Sequence, residues 1–141
     1  MAQLDERCDN PNIPIMAKNL RSIAVVDDDP SVLKALARLL GTRSFATKTY
    51  MSAPQFLAAL PEGLPDCLIA DLQMPEMTGL ELQLTLARRG VQIPTIIITA
   101  HDEAGMRERC RTAGAIAYLA KPVSDTSLFA AIDSAAKRPP G

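Results

Sequence analysis

Pro94-Thr95-Ile96-Ile97-Ile98-Thr99-Ala100 sets three consecutive isoleucines between a proline and a threonine. An unbroken β-branched run has no polar side to turn to water. It predicts a strand over Thr95–Thr99 covered on both faces, as in a parallel sheet. Ala24-Val25-Val26 is a shorter run of the same kind. Outward from these, strands are expected at Ile23–Val26, Phe45–Thr49, Cys67–Ala70 and Ala117–Leu119. Helical patterns fill the intervals. Val32, Leu36, Leu39 and Leu40 fall at i, i+4, i+7 and i+8, one apolar stripe. Asp29 or Ser31 can cap that helix and Gly41 can close it. Ser52 caps a second helix with Pro54 in its first turn, running to about Leu60. Leu80–Arg89 alternates leucines at a strand's period, yet its residues are helix formers and Gly79 and Gly90 border it. It is read as a helix with Leu80, Leu84 and Ala87 inward and Leu82 and Leu86 around the side. A fourth helix is expected from Asp102 to about Thr112, and a fifth from a Ser124 cap, carrying Leu128, Ile132 and Ala135. The fold class is α/β: a five-stranded parallel sheet with helices on both faces, joined by right-handed crossovers.

Composition narrows the function. The 141 residues are 48% hydrophobic and 22% charged, an ordinary globular balance. Fifteen basic and sixteen acidic residues give a net charge of −1, so no electrostatic case exists for direct nucleic-acid binding. Three cysteines, Cys8, Cys67 and Cys110, form no CxxC pair, and with one histidine a Cys/His zinc site is disfavoured. They read as reduced thiols of a cytoplasmic protein. The longest stretch free of Asp, Glu, Lys and Arg, Thr49 to Pro61, is too short and too polar to span a membrane. Asp5, Glu6, Arg7 and Asp9 replace what a signal peptide would need. Residues 1–20 are read as a flexible leader, 21–137 as one domain and 138–141 as a flexible tail.

In open α/β sheets, ligands sit beyond the carboxyl ends of the strands. Here those ends carry Asp27-Asp28-Asp29, Asp71, Thr99 and Lys121-Pro122. Carboxylates gathered at one edge repel: two unit charges near 4 Å cost roughly 4 kcal/mol at an effective dielectric of about 20. A cation must offset that cost. Oxygen donors without thiolate or imidazole favour a hard ion, and few fixed ligands favour Mg²⁺. A carboxylate beside Mg²⁺ and Lys121 can act as a nucleophile toward a phosphoryl group, and the Thr99 hydroxyl can donate to a phosphoryl oxygen.

The set Val25-Val26-Asp27-Asp28, Asp71-Leu72-Gln73-Met74-Pro75 with Gly79, Ile98-Thr99-Ala100, and Tyr118 ahead of Lys121-Pro122 resembles a response-regulator receiver domain. The likeness is CheY-like in fold and of FixJ/NarL type in spacing, and covers about Arg21 to Lys137. It implies that Asp71 is the phosphoacceptor and that Asp27, Asp28, Asp71 and the Gln73 carbonyl hold Mg²⁺. It also implies that Lys121 contacts the phosphoryl group, that Lys121-Pro122 is a cis peptide, and that Thr99 and Tyr118 form a switch pair. Tyr118 is then expected to rotate inward on phosphorylation. Gln73 and His101 would flank the path of attacking water and tune the lifetime of the phosphorylated state.

The phosphoryl donor implied is a histidine kinase or phosphotransfer protein. The output implied is a downstream protein or a homodimer through the Tyr118 face, where Arg107, Arg109 and Arg111 also lie. Only self-phosphorylation and autodephosphorylation are expected, not conventional turnover. Met74 and Met77 are either loop filler or a kinase contact. A stand-alone receiver is the main reading; a receiver fragment of a FixJ/NarL-type transcriptional regulator is an alternative. A Mg²⁺-dependent phosphohydrolase would need more than the Asp-x-Asp spacing of Asp27 and Asp29, and a flavodoxin-like carrier would not place three aspartates against the FMN phosphate.

Overall fold

A computed structural model describes residues 22–137; the expected leader and tail, with Cys8, lie outside the described residues. The chain alternates β1 (Ser22–Val26), α1 (Pro30–Gly41), β2 (Ala46–Tyr50), α2 (Ala53–Ala59), β3 (Cys67–Asp71), α3 (Gly79–Arg88), β4 (Thr95–Thr99), α4 (Met106–Thr112), β5 (Ala115–Ala120) and α5 (Asp125–Lys137). All strand pairs are parallel, in the order β2-β1-β3-β4-β5. The expected α/β sandwich is therefore the observed one.

Alternate residues of each central strand feed two separate cores. Ala24, Val26, Leu68, Ala70 and Ile97 pack with Phe56, Leu82, Leu86 and Cys110 from α2, α3 and α4. Ile23, Val25, Ile69, Ile96 and Ile98 pack with Leu33, Leu36, Leu40, Leu128 and Ile132 from α1 and α5. Ile96, Ile97 and Ile98 are at most 1% exposed, which is why that run tolerates no polar residue.

Local chemistry sets most helix starts. The Asp29 carboxylate accepts from Ser31 N, so Asp29 is the cap of α1 and Ser31 is not. Ser52 caps α2, and Ser124 Oγ accepts from Ser127 N at the start of α5. Thr78 and Glu81 form a reciprocal capping box on α3. The C-terminus of α1 differs from expectation. Gly41 lies inside the helix, and Thr42 follows as its cap with a right-handed backbone. The apolar stripe is centred on Leu33, Leu36 and Leu40, with Val32 and Leu39 on its flanks.

Two helices depart further. The fourth begins at Met106, not Asp102, because Gly105 adopts a left-handed backbone (φ 80°) that interrupts the chain just before it. The third is rotated from the expected orientation. A side chain at Gly79 would meet the Asp71 carbonyl oxygen at 2.6 Å, so glycine alone lets the helix start press on the end of β3. Gly79, Leu82, Gln83 and Leu86 then share one face at i, i+3, i+4 and i+7. Leu82 and Leu86 are buried, whereas Leu84 is 42% exposed and Ala87 also faces solvent. Leu80 remains buried at the border. Leu82→Ala should lower the unfolding free energy by about 2–5 kcal/mol, and Leu84→Ala by no more than about 1 kcal/mol. Equal losses in urea unfolding would contradict this helix orientation.

Candidate functional site

Strand register brings the acidic residues to one edge. Val26 pairs with Ala70, so the next residues, Asp27 and Asp71, leave adjacent strands at the same level. Thr99 pairs with Ala120 at the end of β4, one residue before Lys121. Lys121 N donates to the Thr99 carbonyl at 2.7 Å, which extends that pairing past the strand end. The Lys121-Pro122 peptide is cis.

Lys121 Nζ lies 3.0 Å from Asp27 Oδ2 and 3.3 Å from Asp71 Oδ1. It donates a hydrogen bond to Asp27. Asp71 Oδ1 is buried and accepts none, so its link to Lys121 is an ion pair without an aligned hydrogen bond. The other Asp27 oxygen accepts from Asp29 N at 2.8 Å, which fixes that carboxylate in place. Carboxylate oxygens of Asp27, Asp28 and Asp71 lie within 4.8 Å of one another. Asp27 and Asp71 are buried and Asp28 is exposed, so the cluster opens to solvent on one side.

Electrostatics follow from this crowding. Burial, then the charge of Asp27, pushes the Asp71 carboxyl from 3.8 up to about 6, against the opposing pull of Lys121. Burial disfavours the Lys121 ammonium, but the hydrogen bond to Asp27 and the charges of Asp71 and Asp27 outweigh it and raise its pKa. The donor set fits a small hard divalent cation. It offers only oxygen, it carries excess negative charge, and one buried acceptor atom, Asp71 Oδ1, accepts no hydrogen bond.

The Thr99 hydroxyl is 2.8 Å from Gln73 Oε1 and 2.9 Å from the His101 carbonyl, and it accepts from His101 N. Gln73 Nε2 donates to the same His101 carbonyl at 3.0 Å. The His101 ring-bearing residue is exposed; its contribution to Thr99 is through its main chain. Tyr118 is already inward, 6% exposed, with its hydroxyl donating to Asp102 Oδ1 at 3.1 Å. Tyr118 thus occupies the inward position in this structure. Burial and then the Asp102 hydrogen bond push the Tyr118 phenol up to about 12.

Arg107 stacks over the Tyr118 ring at 4.9 Å and donates to the Tyr118 carbonyl. Arg111 pairs with Glu108 on the surface. Met74 is buried in the core, the filler role of the two expected for it. Sequence reasoning missed Asp102, Arg107 as a stacking partner, and the Gln73 side chain as a bridge. Only the closeness of Asp102 to Thr99 in the chain hinted at the first. Cys67 is raised to about 12 by burial, which makes it a poor nucleophile. No helix among the described residues is long and apolar enough to cross a membrane.

A profile described as "Response regulator receiver domain" matches residues 23–133. The Transcriptional regulatory protein FixJ of Rhizobium meliloti is 38% identical over 116 residues, covering 82% of this chain and 57% of FixJ. The Response regulator protein TmoT of Ectopseudomonas mendocina is 41% identical over 118 residues, covering 84% of this chain and 54% of TmoT. This chain thus spans a little over half the length of these relatives. Among solved structures, the crystal structure of FixJ-N superposes with a TM-score of 0.79 at 36% identity, covering 87% of this chain and 98% of that one. A response regulator receiver protein from Burkholderia phymatum gives 0.71 at 45% identity, covering 82% and 94%. The chain belongs to the family of response regulator receiver domains of two-component systems.

The Asp71 shift has a consequence for stability. A carboxyl whose folded pKa exceeds its unfolded value binds more protons when folded, between pH 3.8 and about 6. Metal-free stability should therefore fall as pH rises through that window, with the full penalty present above it. Asp71→Asn removes the penalty. In EDTA, its gain in urea midpoint over the native protein should be small at pH 4 and larger at pH 7.5; a gain independent of pH would contradict the assignment.

Proposed function

We propose that this receiver domain accepts a phosphoryl group onto Asp71 from a phosphohistidine of a histidine kinase or phosphotransfer protein. One observation carries the reading: the buried Asp71 Oδ1, which accepts no hydrogen bond, is ion-paired with Lys121 Nζ at 3.3 Å in a cluster of oxygen donors. An Asp71 oxygen forms the new bond to phosphorus, the phosphorus–nitrogen bond of the donor breaks, and the imidazole leaves with the electron pair. Such transfer depends on positioning and on neutralising the equatorial oxygens. Asp27, Asp28, Asp71 and the Gln73 main-chain carbonyl would hold Mg²⁺, which would supply part of that neutralisation. Lys121, already poised between Asp27 and Asp71, supplies the rest from this chain. Asp27, fixed by Asp29 N, keeps the lysine in reach.

The Thr99 hydroxyl turns to donate to a phosphoryl oxygen. In doing so it leaves Gln73 Oε1 and the carbonyl of His101, the residue before the Asp102 that holds Tyr118. The segment from His101 to Gly105 thus links the reacting carboxylate to the face formed by α4, β5 and α5. Thr99 and Tyr118 form the switch pair, and the change at Tyr118 is passed through the loop and the Arg107 stack to that face. Gln73 and His101 border the acceptor and tune the lifetime of its acyl phosphate. The chemistry is confined to self-phosphorylation and autodephosphorylation in the cytoplasm. The output is a downstream protein or a second copy of the chain at the Tyr118 face. FixJ, by its name, is a transcriptional regulator nearly twice the matched length. That likeness keeps a receiver fragment of such a transcriptional regulator as the alternative to a stand-alone receiver.

Incubation with acetyl phosphate and Mg²⁺ should add one phosphoryl group by intact mass. Asp71→Asn, or EDTA in place of Mg²⁺, should abolish the gain. Equal labelling of the Asp71→Asn protein would overturn the assignment.

A further inference from the structure

The Thr99 side chain is wholly buried and has one hydroxyl proton to give. Two acceptors stand within reach of it, Gln73 Oε1 at 2.8 Å and the His101 carbonyl at 2.9 Å. Both belong to loops at the sheet edge, one after β3 and one after β4. Asp71 Oδ1 accepts no hydrogen bond, so the Thr99 proton is not shared with that oxygen. The Gln73 amide closes the arrangement from its other end by donating to the same His101 carbonyl. One side chain therefore holds both the hydroxyl of Thr99 and the carbonyl that competes for it.

We propose that the Gln73 carboxamide is a positioning residue that competes with an occupied Asp71 for the Thr99 proton, and so sets how tightly the site takes a phosphoryl group. The inference rests on Asp71 and Thr99 acting as described under Proposed function. It assigns the Gln73 side chain a task different from shielding water: a brake on the unoccupied state. Occupancy must break the bond from Thr99 to Gln73, and a neutral hydrogen bond at a buried group has a modest net worth. The His101 carbonyl and amide remain as partners when Gln73 is replaced, so the brake is relaxed and not abolished.

Beryllofluoride with Mg²⁺ is a suitable probe, because it occupies a carboxylate as a phosphoryl mimic without hydrolysis and so excludes any effect on attacking water. Gln73→Met keeps the side-chain length and removes both hydrogen bonds. By ¹⁹F NMR titration it should bind beryllofluoride about threefold to tenfold more tightly than the native protein. The gain should vanish in a Thr99→Val background, where no hydroxyl remains to be held, and return in Thr99→Ser. An unchanged or weaker affinity in Gln73→Met overturns the inference, as does the same gain with Thr99→Val. Failure of the native protein to bind beryllofluoride at all, with Mg²⁺ present, would instead overturn the phosphoacceptor reading on which it stands.

Discussion

Two buried carboxylates, Asp27 and Asp71, face one lysine across the carboxyl edge of a parallel sheet. Lys121 can neutralise only one of them, and Asp28 adds a third negative group from the solvent side. The sheet enforces this crowding. β1 and β3 are adjacent and in register, so Asp27 and Asp71 cannot move apart without breaking strand pairing. The excess charge shows in the Asp71 carboxyl, whose raised pKa records burial and the nearness of Asp27. A site of this kind is incomplete as a set of protein groups. A divalent cation would relieve it, and under the proposed function phosphoryl transfer would use the relieved carboxylate.

The surroundings are built to keep that pocket rigid and its rim adjustable. The two cores clamp β1, β3 and β4 from both sides with residues that are almost fully buried. Gly79 brings α3 against the Asp71 main chain, and Asp29 at once caps α1 and fixes Asp27 through its N–H. By contrast, the segment between β4 and α4 is held by few bonds: Thr99 and Gln73 at its start, and Tyr118 to Asp102 in its middle. Under the proposed function, this segment is the path by which a change at the acceptor would reach the Tyr118 face. A two-state element of limited size is what a signalling switch requires.

Much of this was legible in the residues. The Ile96-Ile97-Ile98 run could only be a doubly covered strand, and the strand-end residues Asp27, Asp71, Thr99 and Lys121 announced one shared edge. The orientation of α3 was not legible, because Leu80, Leu82, Leu84 and Leu86 satisfy two faces equally well. The close approach of Gly79 to β3 breaks the tie, and that is a tertiary contact. The start of α4 was misplaced because Gly105 in a left-handed conformation interrupts a stretch whose composition allows helix throughout. The bonds from Tyr118 to Asp102 and from Thr99 to the Gln73 side chain escaped notice, since these partners lie 16 and 26 residues apart. No local pattern reports such pairs.

Burial and the Asp27 carboxylate hold the Asp71 charge at a cost that a bound cation would lower. A ¹³C NMR titration of the Asp71 side-chain carboxyl, without and with saturating Mg²⁺, tests it most directly. In the metal-free protein the midpoint should lie near about 6, set by burial and Asp27, and Mg²⁺ should displace it strongly downward. A midpoint in the ordinary carboxylate range that Mg²⁺ leaves unmoved would contradict it.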